Sequence, residues 1–104
     1  MSCQILRTDK TDIQVRNLIN YIVQDSGSVD IALVCLDKIE HAINLLKDQP
    51  YYGIQARHPL LRKMQFRVVV TDHYLVFYKV RERDATVIIY AVVDSRQDYV
   101  DLVL

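Results

Sequence analysis

The sequence predicts an α+β fold: an N-terminal strand, then an α-helical hairpin packed on a twisted antiparallel sheet, in the order β-α-α-β-β-β. Three observations carry this. Residues 65–93, QFRVVVTDHYLVFYKVRERDATVIIYAVV, are runs of Val, Ile, Tyr and Phe broken by the polar stretches Thr71-Asp72-His73 and Arg81-Glu82-Arg83-Asp84. That content suits a pleated, half-buried surface, and those breaks have hairpin length. The first half instead repeats its apolar residues at helical spacing. Finally, the 104 residues are half hydrophobic and a quarter charged, with two glycines and two prolines. This describes one globular domain over residues 1–104, without linkers or low-complexity tails.

In chain order, Cys3 to Arg7 is a short, partly apolar stretch that serves as a strand added to the sheet. Thr8 or Thr11 caps a first helix running to about Gln24, with Asp9 and Asp12 at the positive end of its dipole. Val15, Leu18, Ile19, Ile22 and Val23 form its apolar stripe. Gly27 frees the chain to turn, and Ser28 caps a second helix from about Val29 to Asp48. Ala32, Cys35, Leu36, Ile39, Ile43 and Leu46 are its inward stripe, whereas Leu33, Val34 and Leu45 fall off it. Those three are either buried against the first helix and the sheet or form part of a partner surface. Pro50 stops the helix. Residues 49–64 then make the longest irregular segment, and loops of that length in a small domain are usually functional. The apolar end, Val100 to Leu104, packs back on the domain as a short helical turn.

Charge and cysteines narrow the function. Net charge is zero, which argues against strong nonspecific nucleic-acid binding. The distribution is uneven: residues 51–93 carry seven basic and three acidic side chains, while residues 1–50 and 94–104 are each net acidic. A positive sheet region between acidic ends suits an anionic partner; a solvated surface is the plainer reading. Cys3 and Cys35 have no metal-ligand or redox spacing and read as free thiols. No apolar run approaches the roughly 18 residues needed to cross a bilayer, and the N-terminus lacks a signal-peptide core. A cytoplasmic protein with no membrane partner is expected. The absence of a metal-ligand cluster, a phosphate-binding glycine loop or a nucleophile triad predicts no metal, no cofactor and no small-molecule substrate.

Four stretches give the chain a family likeness. They are Leu45-Leu46-Lys47-Asp48-Gln49-Pro50 with Gly53 beyond it, the pair Phe66-Arg67, the strand from Tyr74 to Val80, and Val92-Val93-Asp94-Ser95-Arg96-Gln97-Asp98-Tyr99. In order and spacing the chain resembles the RelE/ParE superfamily, the plasmid-stabilisation toxins of bacterial type II toxin–antitoxin systems. The resemblance implies a growth-inhibiting toxin neutralised by a cognate antitoxin. One branch of the family cleaves messenger RNA on the ribosome; another inhibits DNA gyrase. The Arg96-Gln97-Asp98-Tyr99 tail and the Tyr74-to-Tyr78 strand look more like the gyrase branch.

Messenger cleavage makes stated demands: a 2′-hydroxyl attacks the next phosphate, so cations must stabilise growing charge and another group must move protons. By resemblance, Arg67 and Arg96 match the family arginines, while His58 and Tyr99 are the proton-transfer candidates. Each has a plainer reading: an ion pair for Arg67, pairing with Asp94 or Asp98 for Arg96, and a solvated loop side chain for His58. His58 and Leu60 stand where the nucleases carry lysines, Lys63 is displaced along the loop, and Tyr99 follows Arg96 too closely to match. A nonenzymatic gyrase inhibitor is therefore preferred, with the endoribonuclease and a non-toxic binding module as alternatives. Arg57, Arg62, Lys63, Arg67, Arg81 and Arg96 are the expected contacts to target or antitoxin. Leu33, Val34 and Leu45 beside Arg57, Arg62 and Arg67 are expected to form an apolar groove flanked by cations for the antitoxin. Alternation along the strand places Arg67 opposite Phe66, toward an open concave surface.

Overall fold

In the computed structural model, which describes residues 2–104, both chain halves converge on one five-stranded sheet. The strands are β1 (Gln4–Arg7), β2 (Ile54–Gln55), β3 (Arg67–Thr71), β4 (Tyr74–Arg81) and β5 (Thr86–Asp94), in the order β1-β5-β4-β3-β2. β1 lies parallel to β5 and the other pairings are antiparallel. The helices are α1 (Asp9–Ser26), α2 (Val29–Leu45), α3 (Pro59–Lys63) and α4 (Val100–Val103).

Local chemistry sets the boundaries. The Thr8 hydroxyl accepts from the Thr11 amide at the start of α1, and the Ser28 hydroxyl accepts from the Ile31 amide at the start of α2. Gly27 closes α1 at φ 69°, the left-handed region that a residue without Cβ enters freely. The helices differ slightly from expectation: α1 continues to Ser26, and α2 gives way after Leu45 to turns before Pro50. Asp72, at φ 52°, and His73 form the two-residue turn between β3 and β4.

Two cores sit on opposite faces of the sheet. On one face α1 and α2 bring Val15, Ile39, Ala42, Ile43 and Leu46 against Val69, Val76, Tyr78, Val87, Ile89 and Val92. On the other, Leu61 of α3 and Val103 of α4 close over Phe66, Val68, Phe77, Ala91 and Val93. This corrects two expectations. The segment 49–64 is not irregular throughout, since it contains β2 and α3, and the sheet face opposite the hairpin is not open. The cause is Leu61, fully buried by a five-residue helix too short to show a periodicity.

A β-bulge in β5 makes the second core possible. Phe77 opposes Ala91 and Tyr78 opposes Ile89, which leaves Tyr90 unpaired. Tyr90 and Ala91 consequently both join the second core, and the Tyr90 ring meets Phe66 edge-on at 5.3 Å. The displaced Ile89 carbonyl accepts from the Thr8 amide at 3.1 Å and the Thr11 hydroxyl at 3.0 Å. The cap of α1 thus also anchors the bulge. Both cysteines are free, Cys3 buried and Cys35 half-buried. No described helix is long and apolar enough to cross a membrane.

Candidate interaction site

Residues 49–71 contain no Asp or Glu, and they carry Arg57, Arg62, Lys63 and Arg67. The fold brings this stretch together at the β2 end of the sheet. Pro59 at the first turn of α3 is pre-set for helix, and the His58 ring accepts from the Leu60 amide at 3.2 Å as the N-cap. His58 is therefore a capping residue. Leu61 points into the second core, which turns Arg62 and Lys63 out to solvent. Arg57, Arg62 and Lys63 are exposed and make no ion pair among the described residues.

Arg67 has a different task. Its guanidinium donates to the Gly53 carbonyl at 2.6 Å and the Tyr51 carbonyl at 3.3 Å, and lies 5.2 Å from the Tyr51 ring centre. Gly53 in turn donates its amide to the Tyr78 hydroxyl at 3.0 Å. A Cβ there would stand 2.7 Å from both that hydroxyl and the Val68 carbonyl, so only glycine fits. Arg67 thereby ties the 51–53 turn to the sheet. It does point away from Phe66, but its face of the strand is the one that packs on the helical hairpin.

Between this turn and α3 lies an open cleft of about 420 Å3, lined by Tyr51, Gln55, Arg62, Gln65, Arg67 and Glu82, among others. Glu82 accepts a short hydrogen bond from the Tyr51 hydroxyl, which raises the tyrosine's pKa because the phenol is held protonated beside a carboxylate. Sequence reasoning passed over Tyr51, Gln55, Gln65 and Glu82. The two tyrosines immediately after Pro50 were the available signal, since rings of that size in a turn need an explanation.

The remaining nominated residues lie elsewhere. The Arg81 guanidinium pairs with Asp84 at 2.8 Å, and that hydrogen-bonded partner holds the Asp84 carboxyl below its usual value. Arg96 donates to Asp94 from Nη2 at 2.6 Å and Nε at 3.0 Å. The Tyr99 ring packs on Phe77 at 5.4 Å. Register separates the two arginines expected to act together: Arg67 pairs with Tyr78, whereas Tyr74, at the other end of the β3–β4 pair, lies opposite Asp94, two residues before Arg96. Four residue steps along β3 amount to roughly 13 Å. A second cleft, of about 560 Å3, lies at that far end, lined by Gln14, Tyr21, Tyr74, Arg96 and Leu102 among others.

The expected antitoxin groove is likewise divided. Leu33 and Val34 are exposed on α2, over one sheet face, and Arg57 and Arg62 flank Leu61 over the other. The sheet stands between them because both of its faces are covered.

An α1–α2 hairpin on a five-stranded sheet, with a basic, acid-free segment along one edge, defines a small α+β domain. Residues 5–99 match the family model described as "ParE toxin of type II toxin-antitoxin system, parDE". The chain belongs to that family and is a toxin of a type II toxin–antitoxin system. Among solved structures it is similar to the toxin–antitoxin complex RelBE2 from Mycobacterium tuberculosis, with a TM-score of 0.62 and 17% identity. That likeness covers 90% of this chain and 99% of the other, and at this identity it speaks for the fold. Among curated proteins none matches.

Proposed function

We propose that this toxin arrests growth by binding DNA gyrase rather than by cutting messenger RNA, and that a cognate antitoxin neutralises it by covering the basic 49–71 segment. One observation supports the first part. The two arginines nominated for cleavage are engaged and lie at opposite ends of the β3–β4 pair, Arg67 holding a turn and Arg96 pairing with Asp94, while the His58 ring caps a helix and the Tyr99 ring packs on Phe77. Phosphoryl transfer through a 2′-hydroxyl needs charge stabilisation and proton transfer within hydrogen-bond reach of one phosphate. A stoichiometric inhibitor needs only a stable surface. For the second part, the segment exposes Arg57, Arg62 and Lys63 without ion pairs among the described residues, cations that an acidic antitoxin chain would complement, and the solved structure with a similar fold is a toxin–antitoxin complex.

The experiment is induced expression, alone and with an antitoxin encoded beside the gene. Growth arrest, intact messenger, and loss of supercoiling by purified gyrase when the toxin is added are the expected results. Messenger cut at codon boundaries with gyrase unaffected would establish the nuclease reading instead, and unimpeded growth would leave only a binding module.

A further inference from the structure

β5 outruns its neighbour. β1 pairs with it only from Thr86 to Ile89, so Tyr90 to Asp94 have no strand on that side. Alternation decides which groups face the gap. The Ser95 amide donates to the His73 carbonyl at 2.8 Å, so Ala91 and Val93 carry the bonds to β4, and Val92 and Asp94 face outward. Two of their four backbone groups are already used. The Val92 amide donates to Gln14 Oε1 at 3.0 Å, and the Asp94 carbonyl accepts from the Gln97 amide at 3.2 Å. The Val92 carbonyl and the Asp94 amide have no partner among the described residues. Both lie in the cleft of about 560 Å3, between Leu18 and Tyr21 of α1 and Leu102 of α4. Tyr21 and Leu102 expose 61 and 41% of their surfaces, so the walls are open to an incoming chain.

We infer that this gap takes an extended segment of a partner protein, running parallel to β5 and apolar over three residues. A carbonyl and the amide two residues beyond it are the pair that one residue of a parallel strand uses, donating to the first and accepting from the second. β1 does this earlier on the same edge: the Gln4 amide donates to the Ala85 carbonyl at 2.9 Å, and Gln4 lies opposite Thr86. The incoming residue continues that line opposite Val93. Its side chain shares the Val93 face, toward Leu102, and its two neighbours point the other way, toward Leu18 and Tyr21. An antiparallel segment would exchange both bonds with one residue, and neither Val92 nor Asp94 has both groups unpartnered. The same fact argues against a second copy of the chain, because a two-fold axis between two β5 edges sets them antiparallel. Gln14 stands where a preceding residue would pair, so the added ladder is one residue long and the apolar walls supply the rest of the contact. This cleft is separate from the basic 49–71 segment, and its occupant is independent of the gyrase reading.

NMR of the purified, nitrogen-labelled full chain tests this, titrated to millimolar concentration with the capped synthetic peptide acetyl-Ser-Val-Leu-Val-Lys-amide. The Asp94 amide should shift, and its exchange with solvent should slow at least about tenfold at saturation. The Val92 amide, held by Gln14 throughout, should keep its rate. Methylating the leucine nitrogen removes the donor that meets the Val92 carbonyl, and should weaken binding at least about tenfold. Methylating either valine nitrogen, which points away from β5, should change it less than about twofold. Tyr21→Ser with Leu102→Ser should weaken binding about tenfold with melting unchanged, since both side chains are exposed. If that variant does not fold, the methylated peptides decide alone, because they leave the protein as it is. Protection of Val92 instead of Asp94, the same loss from methylation at all three positions, or no binding would overturn the inference. So would sedimentation showing that a second copy of the chain covers the cleft.

Discussion

The two faces of the sheet are held in different ways. On one, two helices of 18 and 17 residues lay continuous stripes on the strands, and the core includes residues from every layer. On the other, a five-residue and a four-residue helix each contribute one fully buried side chain, Leu61 and Val103. α4 is further tied down by polar contacts, Lys10 Nζ to the Val103 carbonyl at 2.7 Å and Gln14 Nε2 to the Leu102 carbonyl at 2.9 Å. The first face carries the stability of the domain. The second, with its edges and short helices, carries the exposed cations of the 49–71 segment, Arg57, Arg62 and Lys63. Rigid scaffolds commonly support functional loops in this manner.

Truncation should expose the difference. Ile39→Ala removes a fully buried side chain clamped between a long helix and the sheet, where little can collapse. It should cost about 4 kcal/mol in urea denaturation. Leu61→Ala removes as complete a burial, but α3 can settle toward the sheet, so about 2 kcal/mol is expected. Equal costs would mean that the second face is as rigid as the first. Gly53→Ala belongs to the junction between them: its methyl group cannot fit 2.7 Å from the Tyr78 hydroxyl and the Val68 carbonyl. Overpacking there should cost about 2 kcal/mol. It should also release the 51–53 turn, seen as new protease sensitivity at Tyr51-Tyr52.

The same asymmetry decides what the sequence could reveal. The stripes on α1 and α2 were legible because a long helix repeats its apolar residues often enough to set a period, and Val15, Ile39 and Ile43 are buried as that period requires. The β3–β4 and β4–β5 hairpins were legible from their polar breaks. β2 and α3 were not, since two and five residues hold no period, and β2 forms only because Ile54 and Gln55 meet Val68 and Arg67. The bulge at Tyr90 was equally hidden: it reverses the alternation within an unbroken apolar run, and only the pairing with β4 fixes where. Of the nominated side chains, the sequence marked cations but not their partners. The Arg96 partner is legible because Asp94 and Asp98 both stand two residues away, whereas the Tyr51 and Gly53 carbonyls that hold Arg67 belong to the backbone and leave no mark in side-chain chemistry.

The smallest expected effect comes from that Arg96 pair, and its pH dependence separates a structural cation from a free one. Hydrogen bonds from the Arg96 guanidinium are the main reason the Asp94 carboxyl sits below its ordinary value of 3.8. A carboxyl group with a lowered folded-state pKa binds protons less readily folded than unfolded. Its contribution to stability is therefore complete above the unfolded value and fades as pH falls through the lower, folded one. Arg96→Gln should lower the melting temperature slightly at neutral pH, and the gap should close below about pH 4. The guanidinium is exposed to water, which keeps the effect small at any pH. Arg62→Gln, with no carboxylate to release, should show no such gap at either pH. A gap that persists unchanged into acid would mean that Arg96 does not hold Asp94, and would return its charge to the surface facing the target.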